Sequence, residues 1–440
     1  MRCAQAWAWV AWAVVVGCGG ESPPPDGEGE QASEYAGFTG GVAAEAGSAE
    51  GPSGEIRDAG RGPETIGSGG AAAGSPQDGG GVAPGAREVD DILGLQVPRR
   101  DAFWVEAGRI HFGEDELLLH GLNWFGLETD ARALFGVQEA QRSVGDFLRQ
   151  VKSLGFNALR VPLSPESIDP GYPTPDWAKR GEIDTGREHF EELAREARDA
   201  GLYMLWDIHT CSSAVGFRKT GPTDPACTDY GQQRWLANLG TLARLANEYA
   251  PHVVGIDLFN EPYGLTWEAW KALAEEGGRT VLRENPRILV FVEGVGSEGY
   301  QGGEGVFWGE NLTGVAAAPI DLPAARLVYS PHVYGPSVYA QPYFSAASFP
   351  DNMPAVWDKH FGYLFQAGAA VVPGEFGGRY TGTDRIWQDA FVDYLRARSS
   401  SKSFFYWSLN PNSGDTGGLL LDDWRTVDPG KQSLLERLLQ

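Results

Sequence analysis

The chain has 440 residues and a formal net charge of −24 at pH 7, room for one large domain or two ordinary ones. Residues 19–100 hold 14 acids against 5 basic residues and Arg2 adds one positive charge, so −16 remains for 101–440. A domain this acidic repels phosphate backbones and anionic lipid, which argues against a nucleic-acid partner and leaves a neutral ligand undisfavoured.

In chain order, residues 1–17 read as a targeting segment. Arg2 precedes an apolar stretch from Ala4 to Val16, too short to span a bilayer as a mature helix. It closes in Val15-Val16-Gly17-Cys18, which resembles the lipobox of bacterial lipoproteins. That resemblance implies a lipidated Cys18 and a protein exported to the cell surface and anchored to a bacterial membrane; an ordinary signal peptide cut nearby is the alternative. Residues 19–88 hold 20 Gly and 7 Pro with almost no branched apolar clusters, too little to offset chain entropy. The expectation is a disordered Gly/Pro/acidic tether over 18–100 and one folded domain over 101–440. With Cys3 lost alongside the leader and Cys18 acylated, Cys211 and Cys227 remain. An exported pair closing one loop suggests a disulfide. Zinc is the weaker alternative, since the histidines are dispersed and no C-x-x-C occurs.

An amphipathic hairpin is predicted near 103–112, followed by eight short apolar runs at 117–124, 156–161, 202–208, 253–259, 288–294, 326–331, 369–375 and 403–408. Near-continuous apolar runs of this length suit strands buried on both faces. Helical patterns lie between most of them, among them 143–155, 187–201 and 233–250. Eight such repeats predict a (β/α)₈ TIM barrel with an N-terminal β-hairpin. An open doubly wound sheet would carry a Gly-rich phosphate turn after its first strand, and "HGLNWFGLET" has none.

A barrel keeps its chemistry at the carboxyl ends of its strands. Here those ends carry Asn123, Arg160, His209, Asn260 with Glu261, Glu293, His332 with Tyr334, Glu375 and Trp407. Geometry ranks the three glutamates. An eight-stranded ring is roughly 15 Å across, so backbones ending strands four and seven stand about 14 Å apart. Side chains reaching inward leave the carboxyls of Glu261 and Glu375 roughly 5–6 Å apart, about the separation of a retaining glycosidase. Glu293, on the adjacent fifth strand, cannot flank a bond with Glu261 and reads as structural.

"VVGIDLFNEPY" (253–263) resembles the acid/base signature of glycoside hydrolase family 5, and "VVPGEFGG" (371–378) its nucleophile strand. "LRVPLS" (159–164) is similar to that family's arginine strand, and "SPHVYG" (330–335) to its His-x-Tyr strand. "HGLNWFGLET" (120–129), "KSLGFNALRVP" (152–162), "FVEGVGS" (291–297) and "FFYWSLNPNSGDTGGLL" (404–420) are similar to segments of the bacterial endo-β-1,4-glucanases in it. The likeness covers 103–440 in order; the loop 211–227 departs from it. It implies Glu261 as acid/base and Glu375 as nucleophile, with Arg160 and Tyr334 favouring the ionised form of Glu375. It implies Asn260 for the sugar 2-hydroxyl, His209 and His332 for the central subsite and the orientation of Glu261, and Trp407 for stacking on a pyranose face. Trp124 and Trp308 fall in segments that line the cleft of similar enzymes; Asp415 is an outlying candidate for a hydroxyl contact.

The activity so implied is retaining hydrolysis of β-1,4 bonds in a neutral polysaccharide or oligosaccharide, foremost endo-β-1,4-glucanase, by a monomer without metal or other cofactor. A β-1,4-mannanase or other β-glucanase is the alternative within the class. A degenerate barrel that only binds carbohydrate and a metal-dependent barrel hydrolase are the rivals outside it.

Overall fold

The computed structural model describes residues 89–214, 230–262, 264–297 and 305–440. Eight parallel strands form one sheet: β1 (His120–Asn123), β2 (Ala158–Leu163), β3 (Tyr203–Ile208), β4 (Val253–Asp257), β5 (Leu289–Val292), β6 (Leu327–Tyr329), β7 (Ala370–Val371) and β8 (Phe404–Tyr406). The spatial order is β7-β6-β5-β4-β3-β2-β1-β8. The sheet closes on itself where Phe405 N donates to Pro373 O at 2.9 Å and Trp407 N to Phe376 O at 2.8 Å. This is the (β/α)₈ fold; seven of the strands fall inside the eight apolar runs, and β2 overlaps its run at 156–161 but extends two residues further, to Leu163.

The crossover helices form for local reasons. Helix α1 (Val144–Ser153) starts in a capping box, in which Ser143 and Asp146 each satisfy the other's backbone N–H, a cap of the kind worth about 1 kcal/mol. Thr185 and Glu188 do the same for α2 (Gly186–Asp199). Helices α3 (Gly231–Ala246), α4 (Trp267–Glu284), α5 (Gly382–Arg398) and α6 (Pro429–Glu436) follow. Between β5 and β6 the described residues make 3₁₀ turns instead. Strands approach closely only where glycine permits: a Cβ on Gly121 would lie 2.1 Å from the Phe405 ring.

Two staves are spliced. Strand β6 stops at Tyr329 and resumes as His332–Tyr334; β7 stops at Val371 and resumes as Glu375–Gly377. Pro331 and Pro373 fall in the gaps, where a missing N–H interrupts the ladder. The resumed pieces pair with each other in parallel, His332 opposite Glu375 and Tyr334 opposite Gly377. Two site residues thereby become neighbours.

At the base, Phe103–Glu106 pairs antiparallel with Arg109–Phe112, as predicted. Residues 89–98, expected to belong to the tether, are paired strands instead. Val89–Ile92 and Leu95–Pro98 form a further hairpin. It is anchored by buried Ile92 and Val97 and by buried Asp90, whose carboxylate takes Arg99 Nε at 2.9 Å and Arg326 Nη1 at 3.0 Å. Charged Asp90 and Asp91 dilute the alternation that would have marked these strands. Residues 1–88, with the leader and Cys18, lie outside the described residues. No helix among the described residues is long and apolar enough to cross a membrane.

Candidate active site

Arg160 points from β2 into the mouth of the barrel and is wholly buried. Its Nη1 donates to Glu375 Oε1 at 2.6 Å and to Asn123 Oδ1 at 3.1 Å. Its Nη2 donates to Asn260 Oδ1 and to Glu293 Oε1, both at 3.1 Å, and lies 3.0 Å from Asp207 Oδ2. Its Nε donates to Asp257 Oδ2 at 3.1 Å. One guanidinium therefore gathers four carboxylates, from β3, β4, the end of β5 and the resumed seventh stave. Burial opposes its charge, but the carboxylates dominate and raise its pKa well above the usual arginine value.

Such an excess of buried negative charge is costly unless it is neutralised. Asp257 is pushed towards its neutral form: burial first, then Glu293, raises its pKa well above the usual carboxyl value. His332 is pushed towards its charged form. Burial alone would lower its pKa, but Glu293, Glu375 and Glu261 push it up to about 10.

The two candidate catalytic acids face each other across this cluster. A carboxylate oxygen of Glu261 and one of Glu375 lie within 4.8 Å, with a His332 nitrogen within the same reach of both. Glu375 is buried and held at both oxygens, Oε1 by Arg160 and Oε2 by the Tyr334 hydroxyl at 2.5 Å. Burial and then Glu375 raise the Tyr334 pKa well above the usual phenol value, so the hydroxyl remains a donor. Glu261 is partly open to solvent; its Oε1 lies 3.1 Å from His332 Nδ1. Its backbone stands at φ +47, a left-handed conformation rare outside glycine, asparagine and aspartate.

The remaining sugar-contact candidates gather around this pair. Asn260 is buried with its Oδ1 on Arg160, and its Nδ2 has no hydrogen-bond partner among the described residues, so a donor is left over for a ligand oxygen. His209 hydrogen-bonds through Nδ1 to Asp207 Oδ2 at 2.6 Å and stacks on Trp407, with 7° between the planes. Trp407 Nε1 donates to Ser413 Oγ at 3.1 Å, and Ser413 in turn reaches Asp415 at 3.2 Å. An aromatic line continues outward from Trp407 through Phe125 and Phe135 to Trp177, a residue that is 51% exposed. Trp308 is half-buried after β5.

Trp124 is a correction. It has no exposed surface, its Nε1 is spent on Phe135 O at 3.0 Å, and its ring packs on Phe147 of α1. Successive side chains of a strand alternate, so with Asn123 turned into the barrel Trp124 must point outward into the helix layer. Asn123, in turn, braces Arg160 and the Gly374 and Tyr406 carbonyls. Cys211 is buried and disulfide-bonded; Cys227 lies outside the described residues.

Two sets of three side chains bring potential ligand atoms within 4.8 Å: Asp257, Glu293 and His332, and Glu261, His332 and Glu375. Both include His332, whose ring is bracketed by Glu261 and Glu293, and carboxylates already on Arg160.

Residues 114–413 match the model of Cellulase (glycosyl hydrolase family 5). The chain belongs to glycosyl hydrolase family 5. This family 5 chain is 39% identical over 339 residues to the major extracellular endoglucanase of Xanthomonas campestris pv. campestris, covering 73% of this chain and 67% of that protein. It is 40% identical over 384 residues to an endoglucanase of Paenibacillus polymyxa, covering 82% and 91%. Among solved structures it resembles a Pyrococcus horikoshii endocellulase in complex with cellotetraose at TM-score 0.70 and 36% identity, over 78% of this chain and all of that one. The catalytic domain of the Xanthomonas enzyme superposes at TM-score 0.69 and 36% identity, over 76% of this chain and 99% of that domain. The chain is thus a glycoside hydrolase of the cellulase type.

Proposed function

We propose that this protein cleaves internal β-1,4 bonds of a neutral glucan with retention of anomeric configuration. The observation that carries the reading is the approach of Glu261 and Glu375 within 4.8 Å at one barrel mouth. Retaining enzymes keep their carboxyl groups about 5–5.5 Å apart, whereas inverting ones leave room for a water at roughly 6.5–9.5 Å.

In the first step a Glu375 oxygen attacks the anomeric carbon as Glu261 gives its proton to the departing glycosidic oxygen. The C–O bond to the leaving sugar breaks, and a glycosyl ester on Glu375 forms. In the second step water attacks that carbon, Glu261 takes the water's proton, and Glu375 leaves as a carboxylate. Arg160 and Tyr334 supply positive charge and a donor to the carboxylate that must be anionic at the start and end of the cycle. Asn260 Nδ2 is free to hold the 2-hydroxyl, a contact that strengthens as charge builds on the ring. The aromatic line from Trp407 towards Trp177 supports a polymeric substrate, whose pyranose faces stack on such rings.

Glucan rather than mannan is favoured by the endoglucanase relatives and by the similar endocellulase bound to cellotetraose. Export is supported by the extracellular relative; lipid attachment at Cys18 and a monomeric state belong to the same proposal. The test is digestion of cellotetraose, mixed-linkage glucan and galactomannan, with the first-formed anomer followed by NMR. The β-anomer from the glucans is expected. Initial α-anomer would overturn retention, and cleavage of mannan alone would overturn the glucanase reading.

A further inference from the structure

Glu293 ends β5, beside Glu261 rather than across from it, so it cannot share a scissile bond with that residue. It is nonetheless among the most constrained side chains in the mouth. It has no exposed surface, and its own backbone is tied down because Trp270 Nε1 donates to its carbonyl at 2.9 Å. Its two carboxylate oxygens have different partners. Oε2 accepts the backbone N–H of Glu261 at 2.7 Å. Oε1 accepts from Arg160 at 3.1 Å and stands 3.1 Å from His332 Nε2. The other ring nitrogen of His332 meets the carboxylate of Glu261 at 3.1 Å. The room for this arrangement is kept by Gly309, where a Cβ would come within 2.7 Å of Glu293 Oε2.

We infer that Glu293 is the positioning residue of the acid/base: one buried carboxylate grips Glu261 at its backbone through Oε2 and, through His332 beside Oε1, at its tip. The inference rests on Glu261 acting as acid/base. Two features argue that the grip is specific. The left-handed backbone of Glu261 (φ +47) is a strained state for a glutamate and persists only where neighbours over-determine it; the hydrogen bond from its N–H to Glu293 Oε2 does so from a fixed stave. A further carboxylate is not needed to balance Arg160, since Asp207 and Glu375 already stand on it. Arg160, Asp257, His332 and Glu261 are the charged groups that face Glu293 from β2, β4, the resumed sixth stave and the β4 loop.

A residue that positions only the proton donor should matter in proportion to how much the leaving group needs a proton. The test compares kcat/KM, which reports steps up to formation of the glycosyl-enzyme, on cellotetraose and on 2,4-dinitrophenyl β-cellobioside, whose phenolate departs unaided. Glu293→Gln should lose about 100-fold on cellotetraose through kcat, with KM unchanged, the lower range of what general acid catalysis supplies. On the dinitrophenyl substrate the loss should stay within about threefold. Equal losses on both substrates, or none on either, would overturn the inference. Glu293→Asp keeps the charge beside Arg160 and so preserves folding, yet is one methylene too short to reach both partners; the same leaving-group dependence is expected of it. Wild-type turnover of cellotetraose tests the glucanase reading separately, because that reading stands or falls before either variant is measured.

Discussion

Two buried arginine clusters occupy the two ends of the barrel, and their charge balance is opposite. At the base, one carboxylate serves two guanidiniums: Asp90 takes Arg99 and Arg326, and burial lowers the Arg326 pKa. At the mouth, one guanidinium serves four carboxylates. The base cluster has little acid, with the exposed Glu106 no nearer than 3.9 Å to Arg99, and its arginines also bond elsewhere, Arg326 on Pro286 O and Arg99 over the Trp104 ring. The mouth cluster holds more acid than its cation can neutralise, and burial and crowding push Asp257 towards its neutral form and His332 towards its charged one. Excess like charge with displaced protonation is a mark of chemistry, while a minimal pair is a mark of architecture.

The largest break in this comparison is Glu375→Gln. Removing one negative charge from an overloaded cluster should leave thermal stability unchanged or raise it, while kcat on carboxymethylcellulose falls by about 10⁴-fold or more. Retained turnover would remove Glu375 from the nucleophile's place. Asp90→Asn should do the reverse, costing about 1–3 kcal/mol in denaturant unfolding because two buried arginines lose their acceptor's charge. Its kcat and KM should match wild type; a changed kcat would mean that the base is coupled to the mouth.

The smallest effect sharpens the protonation argument. His332 titrates near 6.5 when unfolded and at about 10 in the fold. The stability contributed by its charged ring is therefore complete below pH 6.5 and is lost as pH rises through about 10. Wild type should lose more melting temperature between pH 6.5 and 10 than His332→Gln does. Parallel declines would place the proton elsewhere.

The barrel was legible because its staves are nearly unbroken apolar runs, and the mouth because polar residues stand at the last positions of those runs. Glu261, Glu375, Arg160, His209, His332 and Tyr334 converge for that reason. Asp207 and Asp257 were passed over because Asp207 sits one position inside β3 and Asp257 closes β4 within a longer apolar run, so that "LWDI" and "GIDL" read as core. The signal was present: an acid within a strand buried on both faces must have a partner, and Arg160 is that partner. Trp124 went astray because it was placed by the likeness of its segment to cleft-lining ones, without regard to strand alternation. The task of Glu293 had no sequence signature at all, since it depends on which oxygen meets which neighbour.

The spliced staves carry a consequence for redesign. Residues 332–334 and 375–377 are bonded to each other rather than to the lengths of β6 and β7 beneath them. They amount to a two-stranded insert seated on a generic scaffold. Transplanting this reaction centre into another barrel would require moving both halves of that insert as one cassette, whereas the lower staves are interchangeable parts.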